Sequence, residues 1–293
     1  MKNTGLYLAV WLASAAVLSA QEVKVQVLLD DQNEFIVGEA IPVAARVINH
    51  SGQTIHFGSE PWVSYSVEAM DSFVVVKTGE GPIAHNFDIE TSKMATLHSD
   101  LEPYFSITHG GRYKVTATVR IKEWGLELTS EPAYFEIIRG TKIWEQEFGV
   151  PQAASAPKGP PEVRKYSLQR AAYLKHMRLY LRVSDPSEAT IYKVIPVGTI
   201  VSFANPHAQL DAKNNLHLLY EDGARSFNYT VTNPDGEVLV RRTYFYSDTP
   251  PRLMPDDSGR ITVVGGARRV SSSDLPAIGS AVSSHDLPPP KTP

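Results

Sequence analysis

Gly110-Gly111-Arg112-Tyr113-Lys114-Val115-Thr116-Ala117-Thr118-Val119-Arg120-Ile121 is the stretch that decides the fold. Tyr113, Val115, Ala117, Val119 and Ile121 alternate with Lys114, Thr116, Thr118, Arg120 and Lys122. Successive side chains of a strand point to opposite faces, so a strict period of two means a strand with one buried face. The glycine pair ahead of it marks a turn.

The same alternation spreads outward from this strand. It recurs at Val23, Val25 and Val27, at Ile41, Val43, Ala45 and Val47, and at Val63, Tyr65, Val67 and Ala69. Tyr134 to Ile138 reads as the last strand of the set. Turn formers at Val37-Gly38-Glu39 and Asn49-His50-Ser51-Gly52 separate the runs. Short strands with regular turns predict a sandwich.

Phe35-Ile36-Val37-Gly38-Glu39-Ala40-Ile41-Pro42-Val43, continued by Arg46-Val47-Ile48-Asn49, resembles the early strands of bacterial immunoglobulin-like modules. The macroglobulin-type and protease-inhibitor-type sandwiches are among them. Gly110 to Val115 resembles the turn and penultimate strand of such modules, with Val115 where antibody domains carry a cysteine. The resemblance covers about residues 22–139. It implies that the Tyr113 hydroxyl bonds backbone at the preceding corner. It says little about function, because the fold hosts many activities.

Residues 149–162 carry Pro151, Pro157, Pro160 and Pro161, and a linker is expected over 143–162. The second domain, 163–270, is also written in strands: Arg178–Val183, Ile191–Val194, Gly198–Phe203, Leu216–Tyr220, Phe227–Val231 and Val238–Tyr246. Asn233-Pro234-Asp235-Gly236 reads as a hairpin turn. Pro206, Asp211, Asn214 and Leu216 recur as Pro251, Asp256, Gly259 and Ile261. Tyr192-Lys193-Val194 with Gly198 is echoed by Tyr229-Thr230-Val231 with Gly236. Such spacing resembles propeller blades, but a closed propeller needs at least four. A second sandwich or an open, blade-like sheet is therefore expected, with a partial propeller completed by oligomerisation through this domain as the sharper alternative. The fold class is thus all-β: an immunoglobulin-like sandwich over 21–142, a second β domain, and a disordered tail over 271–293 rich in Ser, Pro and Ala.

Lys2, the apolar run Leu6–Leu18 and the small residues Ser19-Ala20 read as a signal peptide over 1–20. The run is too short to cross a bilayer, and no later segment is long and apolar enough. The expected location is periplasmic or extracellular. With no cysteine, disulfides, thiolate metal sites, cysteine nucleophiles and a lipidated cysteine are excluded. Net charge is −4, split unevenly: residues 1–150 hold 11 Lys+Arg against 19 Asp+Glu, and 151–293 hold 17 against 13. Neither half reads as binding nucleic acid.

Chemistry is sparsely written. His207 and His217 are the nearest histidine pair, and with Leu216 facing a core, His217 is expected on a solvated face. Asp30-Asp31 and Asp256-Asp257 lack the rest of a calcium loop. Gly265-Gly266 with Arg268-Arg269 reads as an anion site or a basic turn. Asn49-His50-Ser51 and Asn228-Tyr229-Thr230 match the glycosylation sequon. Trp62, Trp124 and Trp144 are either stacking surfaces or packing. Arg241, Arg242, Tyr244 and Tyr246 are the candidate binding surface. The expectation is an exported, non-enzymatic binding or scaffold protein without cofactor or metal, whose partner is an envelope protein or a glycan. A protease-inhibitor-like module, or an enzyme with a dispersed site, are the alternatives.

Overall fold

The computed structural model describes residues 23–30, 32–58, 60–71, 73–80, 86–150 and 162–276. The expected signal peptide, most of the expected linker and residues 277–293 of the expected tail lie outside them. The protein is all-β, with no α-helix among the described residues.

The first half contributes β1 (Val23–Leu29), β2 (Glu34–Ile36), β3 (Pro42–Asn49), β4 (Ile55–Phe57), β5 (Val63–Ala69), β6 (Val76–Lys77), β7 (Phe87–Ile89), β8 (Met94–Asp100), β9 (Phe105–Ser106), β10 (Gly111–Ile121), β11 (Leu126–Thr129) and β12 (Ala133–Ile138). One sheet runs β1-β3-β8. The other centres on β10, with β5 along one edge and β11 and β12 along the other. β2 pairs with β12 in parallel. On β10 the apolar members of the alternation are all buried. They meet Val25, Val43, Ala45 and Val47 of the first sheet in one core, an arrangement compatible with a β-sandwich.

The second half contributes β13 (Thr141–Gly149), β14 (Val163–Tyr173), β15 (His176–Ser184), β16 (Ile191–Ile200), β17 (His207–Leu210), β18 (Leu216–Gly223), β19 (Ser226–Thr232), β20 (Val238–Phe245), β21 (Arg252–Pro255), β22 (Ile261–Val264) and β23 (Ala267–Arg269). β13-β14-β15-β16 is an antiparallel meander, and β17-β18-β19-β20 is another, extended by β23. The two share a core of Phe148, Tyr166, Leu168, Leu181, Leu216 and Leu218, so they stack face to face. The far face of β18 and β19 is covered by the β21-β22 hairpin through Leu253 and Ile261.

Three expectations about extent are corrected. Residues 143–149 are not linker. They belong to β13, which pairs with β14 along Thr141–Gly149 and stacks Phe148 on Tyr166 at 4.2 Å. The separate strands at Ile191–Val194 and Gly198–Phe203 are largely one strand, β16. The order of the second half extends past Ser271, since Arg241 and Leu275 exchange two backbone hydrogen bonds of 3.1 and 3.0 Å.

The 45-residue repeat is one hairpin built twice. Asp211 opens the β17-β18 turn and its Oδ1 accepts from the N–H groups of Lys213 and Asn215. Asp256 does the same for Ser258 and Arg260 between β21 and β22. Asn214 and Gly259 take the left-handed position, at φ 61° and 76°. Leu216 and Ile261 then enter the cores. The echo between Tyr192 and Tyr229 has no such basis: one lies on a fourth strand, the other on a third.

Candidate functional site

The two halves meet along β2, β14, β15 and β16. Ile36 packs with Ala171, Tyr180 and Val194 in a small apolar cluster. Three hydrogen bonds cross the junction: Leu174 N–H to Glu34 Oε2 at 3.0 Å, Arg178 to Gln32 Oε1 at 3.1 Å, and Arg182 to the Val37 carbonyl at 3.1 Å. Gly38, at φ 81°, lets the turn after β2 seat against Ile191 and Val194, where a Cβ would lie 3.1 Å from Ile191. Beside it Glu39 is buried, and its carboxylate accepts from Ile36 N–H and Gln32. Burial raises its pKa, against those two bonds and the charge of Arg178.

Next to this seam is a cavity of about 440 Å³, bordered by Val37, Thr108, His109 and Arg139 of the first half and by Gln169 and Arg182 of the second. Among the described residues no carboxylate lines it. Ser167 and Arg182 are cross-strand neighbours on β14 and β15, so their side chains share the face turned toward the first half. Ser167 Oγ and Arg182 Nε are both buried without a hydrogen-bond partner. Burial lowers the pKa of Arg182, partly offset by the charge of Glu188. The His109 ring stacks on Phe73 at 4.3 Å. Phe73 belongs to an exposed apolar stretch: Val74 is 87 % exposed, and Met70 and Val76 are more than half exposed.

The four residues expected to form a binding surface do not share one. Arg242 pairs across from Tyr229, and Tyr244 from Phe227, which puts both on the face covered by β21-β22. Arg241 points to the opposite face, with its backbone bridged to Leu275. Tyr246 follows the strand with the Arg225 guanidinium 5.5 Å from its ring centroid.

Other expected features resolve into packing. His217 is not solvated: it is 7 % exposed, because β18 is covered on both faces. Its Nδ1 lies 2.7 Å from Tyr229 OH, and its Nε2 lies 3.3 Å from Asp211 Oδ2. His207, on β17, is exposed. Asp256 spends both carboxylate oxygens on its own turn. Among the described residues no group of three or more His, Asp or Glu is placed to hold a metal. Gly265 and Gly266, both left-handed, form the turn before β23. Arg268 bonds the buried Asp274, and Arg269 lies over Phe245. Asn49 is fully buried with its amide donating to Gln53 and Ile89 carbonyls, which removes it as a glycosylation acceptor. Trp62 is buried against Phe57 and Phe87, and Trp124 and Trp144 pack partly buried on the cores.

No family model matches the chain, and no curated protein matches it in sequence.

The cavity was not legible in the sequence because its members come from five separate segments. The one local signal was Gly110-Gly111, which sets His109 at a corner.

Proposed function

We propose that the protein is an exported, non-enzymatic binding or scaffold protein of a bacterial envelope or secretome. Its first module is immunoglobulin-like and its second is a sandwich or an open, blade-like sheet. The parallel pairing of β2 with β12 supports the first assignment, as does the bond from Tyr113 OH to the His109 carbonyl at 2.7 Å. The hairpin repeated at Asp211 and Asp256 supports the second.

The observation that carries the binding reading is the stretch of Met70, Phe73, Val74 and Val76. Four large apolar side chains, all about half exposed or more, crowd into seven residues. Exposed large apolar side chains clustered in this way mark partner sites in soluble proteins. The partner is an envelope protein that buries these side chains. A pull-down from envelope extract with the mature protein tests this. Val74→Asp is at the surface and leaves folding intact, so it should abolish capture of whatever the wild type retains. Equal capture by both proteins refutes the reading.

The same stretch supports a second reading, a protease-inhibitor-like module whose exposed loop enters a protease cleft. A panel of serine, cysteine and metalloproteases distinguishes the two: inhibition lost in Val74→Asp favours the inhibitor, and no inhibition by the wild type removes it.

A further inference from the structure

We infer that the cavity between the two halves is a binding site for a small organic oxyanion, with Arg182 and Arg139 as its cationic walls. The inference is independent of the apolar stretch and of its protein partner.

The argument begins with an uncompensated group. A half-buried guanidinium normally meets a carboxylate, because taking a charge out of water without a counter-charge is costly. Arg182 meets none. Its one hydrogen bond goes to the Val37 carbonyl, and its Nε is buried without an acceptor. The neighbouring Ser167 Oγ, fully buried on the same face, also lacks a partner, although Ser167 does not border the cavity. Buried polar groups in native proteins are nearly always bonded, so orphaned donors ask for an acceptor. Arg139 is exposed and lies against Gly110, its Nε 3.5 Å from where a Cβ there would stand. Gln169 is only 7 % exposed, yet borders the cavity.

Every charged group on the lining is therefore a cation or a histidine, in a chain whose net charge is −4. Guanidinium forks match the planar geometry of a carboxylate and the tetrahedral faces of a phosphate. A volume of about 440 Å³ falls within the range of small-ligand sites. Among the remaining walls, Val37, Ile36 and Ile138 are apolar, beside the polar Thr108 and His109. The apolar walls suit the carbon body of a ligand the size of a monosaccharide or a small acid, and do not call for a bare ion. Such a ligand touches both halves and holds their junction closed.

Melting of the full mature protein tests the inference, with three probes at matched ionic strength in sodium chloride: D-galacturonate, D-galactose as its uncharged counterpart, and inorganic phosphate. The melting temperature should rise with galacturonate and stay unchanged with galactose. A rise with phosphate as well assigns recognition to the oxyanion alone. No rise with phosphate adds the apolar walls to the recognition. Arg139→Gln, at the surface, should fold normally and weaken galacturonate binding about tenfold or more, the usual worth of a charged hydrogen bond. Galacturonate should also shift the amide NMR signals of His109, Gly110 and Gly140. The inference is overturned if neither anion raises the melting temperature above the chloride control. It is equally overturned if galactose acts as strongly as galacturonate, or if Arg139→Gln binds as the wild type does.

Discussion

Replacing Tyr113 by Phe removes one oxygen from the core of the first half and leaves its ring in place. The Tyr113 ring is 2 % exposed, stacks on Phe135 at 5.4 Å between nearly parallel planes, and sends its hydroxyl to the His109 carbonyl at 2.7 Å. Burial raises the pKa of this hydroxyl, so it is a neutral donor across the physiological range. A neutral hydrogen bond contributes about 1 kcal/mol net, and an acceptor left buried and unpaired would cost up to about 3. His109 is exposed, so water can reach its freed carbonyl, and the lower figure applies. Tyr113→Phe should therefore cost about 1 kcal/mol. Tyr113→Ala also loses the ring and its stack, and should cost about 3–5 kcal/mol. Urea unfolding of the full mature chain, followed by circular dichroism and tryptophan fluorescence, reads both. If Tyr113→Phe matches wild type within the error of the midpoint, the corner bond contributes nothing. If Tyr113→Ala also matches, β10 does not carry the core.

Three further outcomes are expected. Glu188 is held down to about 2 by hydrogen bonds from Lys142 and then Lys165, against an ordinary value of 4.5. Its contribution is complete above about pH 5 and drains as pH falls toward 2; the network is near the surface, so Glu188→Gln should cost about 1 kcal/mol at pH 7 and nothing at pH 2, read by urea midpoints. Burial lowers the pKa of His217 below 6.5, although Asp211 opposes it. The folded state therefore prefers the neutral ring, and stability should fall as pH drops through 6.5; a His217→Gln variant should lose that slope, and one that keeps it places the titration elsewhere. Finally, a chain covering 163–270 lacks β13 and Phe148 and should melt without cooperativity, whereas 141–276 should melt in one transition; equal behaviour would make β13 dispensable to the second core.

Strands with one covered face were legible, and those with two were not. On β10 the lysines and threonines face solvent, so the alternation spelled out both register and burial. On β18, Leu216 to Tyr220 are all buried, because one sheet packs on one face and the β21-β22 hairpin on the other. Alternation then carries no information about solvent, and His217 was assigned to the wrong environment. β13 reads as linker for a related reason: Lys142, Glu145 and Glu147 dilute an edge strand that buries little beyond Phe148, and prolines follow it closely. The Asp211 and Asp256 hairpins were visible as a repeat because a capping side chain and a left-handed residue are demanded by the turn itself.

The junction explains why polar residues sit in the middle of β14 and β15. One face of this sheet carries Tyr166, Leu168, Leu179, Leu181 and Val183 into a dry core. The other carries Lys165, Ser167, Gln169, Arg178, Tyr180 and Arg182, and it is turned toward the first half. Were that face only an adhesive between halves, apolar residues would do the work with less desolvation cost, as the Ile36, Tyr180 and Val194 cluster does locally. Lys165 is satisfied by Glu188 at 2.7 Å, and Arg178 by Gln32 and the Tyr173 ring at 3.6 Å. Ser167, Tyr180 and Arg182 keep a buried polar atom without a partner, and of these Arg182 borders the cavity. The mouth of that cavity is set by His109, whose carbonyl is tied down by Tyr113. The corner bond of the first core thus fixes a wall of the site, and loosening it should weaken oxyanion binding even where the fold survives.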